Sequence, residues 1–231
     1  MPPVVLITGA TEGIGRATAF AFGRDGWRVG ACARTAGRVA ALVEALRAEG
    51  ITAAGAAGDV GVPGDVERVV QALASELGPV DALVNNAGIA VFKPFEEQTL
   101  DEWDGMMATN VRSLFLVTRA VLPGMRERGA GTIVNVASLA GRNGVKHGTG
   151  YAASKHAVLG FSRSLMLEVR SQGVRVIAVC PGSVDTDLIR PLGRDAGRIL
   201  QPSDVADAIL AAVRLPARAM VSELDIRPSN P

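Results

Sequence analysis

Along the chain, apolar runs of strand length alternate with longer stretches in which apolar residues recur every three or four positions. The runs predict strands at Val4 to Ile7, Arg28 to Ala33, Thr52 to Ala56, Ala82 to Asn85, Thr132 to Val136, Arg175 to Val179 and Met220 to Ile226. The periodic stretches predict helices at Ile14 to Arg24, Gly37 to Glu49, Asp65 to Leu77, Asp101 to Arg128, Tyr151 to Ser171 and Ser203 to Arg214, several opened by Asp, Ser or Pro and closed near Gly. Strands this apolar need cover on both faces, as in a parallel sheet built from βαβ units. The expected fold class is therefore α/β: one domain over residues 1–231, a doubly wound parallel sheet of seven strands with helices on both faces. Pro123 lies inside the Asp101 to Arg128 stretch and should kink that helix or end its regular hydrogen bonding there.

Composition narrows the class. With 231 residues and 48% hydrophobic content, one core is ample and a second domain has no room. A net charge of +1, from 24 basic and 23 acidic residues, creates no field to attract nucleic acid or an anionic membrane, so the expected partner is a small molecule. No apolar run approaches membrane-spanning length, and Met1 to Ile7 carries no charged leader, which points to a cytoplasmic protein. Cys32 and Cys180 fall in predicted strands and read as small core residues without a disulfide. His147 and His156 have no convergent ligand cluster, so no metal is expected; His147 reads as a surface residue, with a place on the pocket wall before Tyr151 as the alternative.

Two motifs carry chemistry. Directly after the first strand comes Thr8-Gly9-Ala10-Thr11-Glu12-Gly13-Ile14-Gly15. Glycines at that place let the backbone turn sharply and approach a pyrophosphate, which rests on the amides opening the next helix. Much later, Tyr151 and Lys155 stand four positions apart, on one face of a helix. A neighbouring ammonium favours the phenolate and lowers the ordinary tyrosine pKa of about 10, tuning the phenol for proton transfer to or from a carbonyl oxygen.

With Asp59-Val60, Asn85 to Gly88, Asn110, Ser138 and Pro181-Gly182 followed by Thr186, these motifs fall in the order found in the classical short-chain dehydrogenase/reductase family, which the chain resembles over essentially its whole length. The resemblance implies a Rossmann-like fold and an NAD(P)-dependent oxidoreductase acting on CH–OH groups. It implies Tyr151 as general acid and base, and Lys155 as the group that lowers the Tyr151 pKa and binds the nicotinamide ribose. Ser138 would polarise the carbonyl, and Asn110 would hold a water linking Lys155 to solvent. For the cofactor it implies Gly9, Thr11, Glu12, Gly13, Ile14 and Gly15 around the pyrophosphate, Asp59 and Val60 at the adenine, and Asn86, Ala87 and Gly88 beside the adenosine ribose. Pro181, Gly182, Val184 and Thr186 would hold the nicotinamide end. Ser113 stands where the family often has glycine, and the Asp-Gly-Gly ending common in ketoacyl-carrier-protein reductases is missing. The ending is more similar to the branch acting on small 3-hydroxy acids, hydroxy amino acids and assorted carbonyls. Members are usually dimers or tetramers; a homotetramer, otherwise a homodimer, is expected, with Val117, Leu122, Val158, Phe161 and Leu165 facing either the interface or the sheet.

At the end of the second strand, where a carboxylate would bind the ribose hydroxyls of NAD, the chain has Ala33 followed by Arg34, suited to a 2′-phosphate. Glu12, in the glycine turn, opposes that phosphate. NADP(H) is favoured over NAD(H). The expected reaction interconverts a small carbonyl compound and its alcohol; the alternatives are an NAD-linked alcohol or 3-hydroxy acid dehydrogenase and a non-catalytic dinucleotide-binding sensor. Pocket walls should come from Leu139 to Gly150 and Asp187 to Gln201, where Arg142, Lys146, Arg190, Arg194 and Arg198 would favour an acidic substrate if they point inward.

Overall fold

Every strand pairs in parallel with its neighbours, in the order β3-β2-β1-β4-β5-β6-β7. The strands are β1 (Val4–Thr8), β2 (Arg28–Ala33), β3 (Ala53–Ala57), β4 (Ala82–Asn85), β5 (Gly131–Val136), β6 (Val174–Pro181) and β7 (Glu223–Ile226). The helices are α1 (Gly13–Arg24), α2 (Ala36–Ala48), α3 (Pro63–Leu77), α4 (Leu100–Met107), α5 (Ser113–Arg128), α6 (Thr149–Val169) and α7 (Pro202–Val213). This is the expected Rossmann-like α/β fold. The structure, a computed structural model, describes residues 1–189, 193 and 195–229, so Arg190 and Arg194 lie outside the described residues.

Successive strand residues point to opposite faces, and each face builds its own core. Val5, Ile7, Val29 and Ile177 pack with Phe22, Leu46 and Ile209 of α1, α2 and α7. Val4, Leu6, Leu83 and Ile133 pack with Leu73, Met125 and Val169 of α3, α5 and α6. Cys32 and Cys180 are buried free thiols, and burial pushes Cys32 up to about 12. Among the described residues no helix is long and apolar enough to cross a membrane.

Two elements depart from the sequence reading. The single helix expected over Asp101 to Arg128 is two helices joined by a π turn at Ala108–Arg112, and Pro123 sits inside α5 without ending it. The break falls where side chains intervene: Asn110 bonds to the loop after β4, and Ser113 Oγ donates to the Thr109 carbonyl. A π turn adds a residue to the helix and is common at functional sites. The last strand is also shorter than Met220 to Ile226.

The strand order reverses between β1 and β4, which opens a crevice at their carboxyl ends. Beneath it, Asn85 Nδ2 donates to Asn135 Oδ1 (2.9 Å) and Thr118 Oγ1 (3.2 Å), and Asn135 Nδ2 donates to Ser162 Oγ (2.9 Å). These buried, mutually satisfied groups tie β4 and β5 to α5 and α6, so the floor of the crevice is rigid.

Candidate active site

Packing explains the glycines of the β1–α1 turn. Gly9 has φ +62°, and a Cβ there would come within 2.8 Å of the Ala87 Cα; one on Gly15 would collide with the Gly9 carbonyl. Asn86 locks the turn from behind, its Nδ2 donating to the Thr8 and Gly9 carbonyls at 3.0 Å each, while Thr8 Oγ1 accepts from the amides of Asn86 and Ala87 at 3.1 Å each. The first turn of α1 has no side-chain cap from Glu12, so its amides remain open to an anion. A cradle too tight for any Cβ and an uncapped helix start fit a dinucleotide pyrophosphate.

The turn opens into a cavity of about 680 Å³. Gly9, Glu12, Gly13, Ile14, Asn86, Ala87, Gly88, Ser138, Tyr151, Lys155, Pro181, Gly182, Val184 and Thr186 all line it, as do Phe92, Val145 and Leu188. Asp59 and Val60 follow β3, away from this wall; Asp59 Oδ1 accepts from the Gly61 amide. Thr11, Gly15, Arg34 and Asn110 are also absent from the lining.

Tyr151 and Lys155 are buried in α6, at 8% and 5% exposure. The Tyr151 phenol lies beside Ser138 on the cavity wall, and its ring packs on Phe92 at 5.5 Å. Burial raises the phenol above its ordinary value, and nearby Ser138 partly opposes this. Lys155 Nζ lies 5.8 Å from the phenol ring centre and donates to the Val136 carbonyl at 2.8 Å. Desolvation lowers Lys155 to about 8. Burial of the phenol dominates its shift, and the Lys155 ammonium, bonded to the Val136 carbonyl, works against that burial only through its charge. Ser138 caps the short 3₁₀ turn Leu139–Gly141, its Oγ accepting from the Ala140 amide at 3.1 Å.

Asn110 is held by the protein at three points. Its Nδ2 donates to the Ile89 carbonyl and Ser154 Oγ, both at 2.9 Å, and its Oδ1 accepts from the Ile89 amide at 2.8 Å. Both amide protons are committed to protein, so the side chain anchors the loop after β4.

At the far end, Arg34 is exposed at the close of β2. Glu12 pairs with Arg38 at 2.9 Å, a partner the sequence reading missed because nothing in the β2–α2 segment marks which arginine folds back. Arg142 does not face a substrate: it bonds Glu223 (2.6 Å) and Asp225 (2.7 Å) of β7. Burial works against its charge, but the two carboxylates hold its pKa above the ordinary arginine value. Lys146 and His147 are exposed and absent from the cavity wall, whereas Arg198 lines it. Arg227, which no motif flagged, lines it too. Val117, Val158 and Leu165 are buried against the sheet; the exposed large apolar residues on α5 and α6 are Phe115 and Leu167.

Residues 3–197 match the short chain dehydrogenase family. The chain belongs to the short-chain dehydrogenase/reductase family. It is 38% identical to a putative ketoacyl reductase of Streptomyces coelicolor, over 95% of this chain and 93% of that protein. It is 36% identical to the 3-oxoacyl-acyl-carrier-protein reductase FabG of Vibrio harveyi, over 90% and 88%. Among solved structures, it superposes on a single-substitution variant of actinorhodin polyketide ketoreductase with NADPH with a TM-score of 0.93 at 37% identity, covering 98% of this chain and 96% of the other. A serine dehydrogenase complexed with NADP+ gives a TM-score of 0.89 at 34% identity, covering 97% and 94%. This short-chain dehydrogenase/reductase is thus an NAD(P)-dependent oxidoreductase acting on CH–OH groups.

Proposed function

We propose that the chain, as one NAD(P)-binding domain, uses NADP(H) to interconvert a small carbonyl compound and the corresponding alcohol, with Tyr151 as general acid and base. The observation that carries this reading is that Tyr151, Ser138 and Lys155 meet on one cavity wall, with the phenol one helical turn from buried Lys155. A phenol raised by burial is protonated at neutral pH, the form that carbonyl reduction requires. Tyr151 gives its phenolic proton to the carbonyl oxygen. Ser138 donates to the same oxygen and stabilises charge as it develops there. Lys155, when protonated, favours the phenolate that remains. The nicotinamide, when bound, supplies the hydride or takes it back. Gly9, Gly13 and Gly15 would hold the pyrophosphate of this cofactor, and Pro181 to Thr186 its nicotinamide end.

Arg34 at the end of β2 supports NADP(H), and Arg38 offsets the Glu12 carboxylate that would oppose a phosphate. The NADPH and NADP+ complexes of the ketoreductase and the serine dehydrogenase support the same choice. The ketoacyl reductase relatives favour the 3-oxoacyl class despite the missing Asp-Gly-Gly ending. Exposed Phe115 and Leu167 support a homotetramer, or a homodimer, built on α5 and α6.

The test is oxidation of NADPH by the purified protein with a panel of ketones, aldehydes and 3-oxo esters. Tyr151→Phe is expected to lower turnover by about 10²- to 10⁴-fold while NADPH affinity stays the same. Turnover that survives in the variant overturns the role of Tyr151.

A further inference from the structure

Alternate residues of a strand project on one face, so Glu223 and Asp225 of β7 and Arg227 just beyond it stand side by side. Three guanidiniums meet these two carboxylates. Arg142 bonds Glu223 at 2.6 Å and Asp225 at 2.7 Å, and Arg163 bonds Glu223 at 2.6 Å. The third, Arg227, reaches Asp225 only at 3.5 Å and remains 58% exposed. The cluster carries one positive charge in surplus, and its short bonds go to Arg142 and Arg163.

The backbone on either side of Arg227 is fixed. The Ile226 carbonyl accepts from the Gly182 amide at 2.8 Å, and a Cβ on Gly182 would lie 3.3 Å from Pro228 and 3.4 Å from Leu139, the neighbour of Ser138. Arg227 therefore lines the cavity at its Ser138 end, from a rigid root with a loosely held head. Among the described residues, the other charges on that wall have partners. Lys155 donates to Val136, Glu12 holds Arg38, Asp195 accepts from the Gly197 amide, and Asp187 and Arg198 have interactions of their own.

We propose that Arg227 recognises an anionic group, a carboxylate or a phosphate, on the carbonyl substrate. A planar guanidinium with donors to spare binds either oxyanion in a charge-assisted, two-point contact. The proposal rests on the reductase reading above and specifies its substrate class.

The test uses two matched pairs with NADPH: acetoacetate against its ethyl ester, and dihydroxyacetone phosphate against dihydroxyacetone. The wild type is expected to prefer the anionic member of at least one pair, and the pair affected tells carboxylate from phosphate. Arg227→Gln is expected to raise KM for that anion by about ten- to a hundredfold and leave its neutral partner unchanged, with Arg227→Lys in between. Equal or better use of the neutral members, or a preference that survives Arg227→Gln, overturns the proposal and leaves the reductase reading standing. If none of the four is turned over, thermal shifts of the NADPH-bound protein decide. An Arg227-dependent shift with an anion supports recognition and counts against the reductase reading; no shift with either anion overturns the proposal.

Discussion

Lys155 Nζ lies 5.8 Å from the centre of the Tyr151 ring, yet its hydrogen bond runs to the Val136 carbonyl, at the end of β5. The ammonium is thus held by the sheet rather than by the phenol. Both groups carry the mark of burial, the lysine lowered to about 8 and the tyrosine raised above its ordinary value.

That burial has a pH signature. Below about pH 8 Lys155 is charged in both folded and unfolded states, and the fold bears the full cost of desolvating it. Between about 8 and the unfolded value near 10.5, only the unfolded chain binds the proton, so the contribution of Lys155 to stability rises with pH, by roughly 3 kcal/mol over the window. Tyr151 is protonated in both states until pH exceeds its unfolded value of about 10, so it adds nothing below that. Urea denaturation across this range should show wild type gaining stability relative to Lys155→Met as pH rises. Parallel curves would show that Lys155 keeps its ordinary pKa in the fold.

The proposed preference for NADP(H) rests on charges at the end of β2 and at the glycine turn. Arg34 is exposed at the end of β2, and the Arg38–Glu12 pair stands at the glycine turn. Arg34→Ala should weaken NADPH binding by about tenfold or more, the worth of a charge-assisted contact, and leave NADH binding unchanged. Fluorescence titration of both cofactors reads this directly. Equal effects on the two would take Arg34 out of phosphate recognition.

Local pattern and long-range contact were unequally legible in the sequence. Seven apolar runs alternating with helical periodicity led to the sheet because its five inner strands are buried on both faces. Gly9, Gly13 and Gly15 stood out because only glycine tolerates their surroundings. The break between α4 and α5 was not legible: it depends on Asn110 reaching Ile89, far away in the chain, whereas Pro123 advertises a kink that α5 absorbs. Arg142 looked like a pocket cation because its partners Glu223 and Asp225 lie some eighty residues on. Arg227 and Arg38 carry no motif, and only the tertiary fold gives them neighbours.

Asn110 provides the sharpest test of that long-range contact, because its amide is 3% exposed and satisfied at three points, by the Ile89 amide, the Ile89 carbonyl and Ser154 Oγ. Asn110→Leu removes all three bonds and leaves the half-buried Ile89 amide and carbonyl without these partners. The cost should be about 2 to 3 kcal/mol in urea unfolding, and a change within about 0.5 kcal/mol would show that the loop after β4 is held by other contacts. Asn110→Asp separates donor from acceptor. A carboxylate can still accept from the Ile89 amide, but it sets a charged oxygen against the Ile89 carbonyl, where the native side chain donates. In that buried position the protonated form is favoured, so the folded pKa of the new acid lies above its unfolded value. Its contribution is therefore complete below the ordinary aspartate range and is lost as pH rises through the folded pKa. Asn110→Asp should accordingly approach wild-type stability in acid and fall away toward neutrality, a pH dependence that Asn110→Leu cannot show.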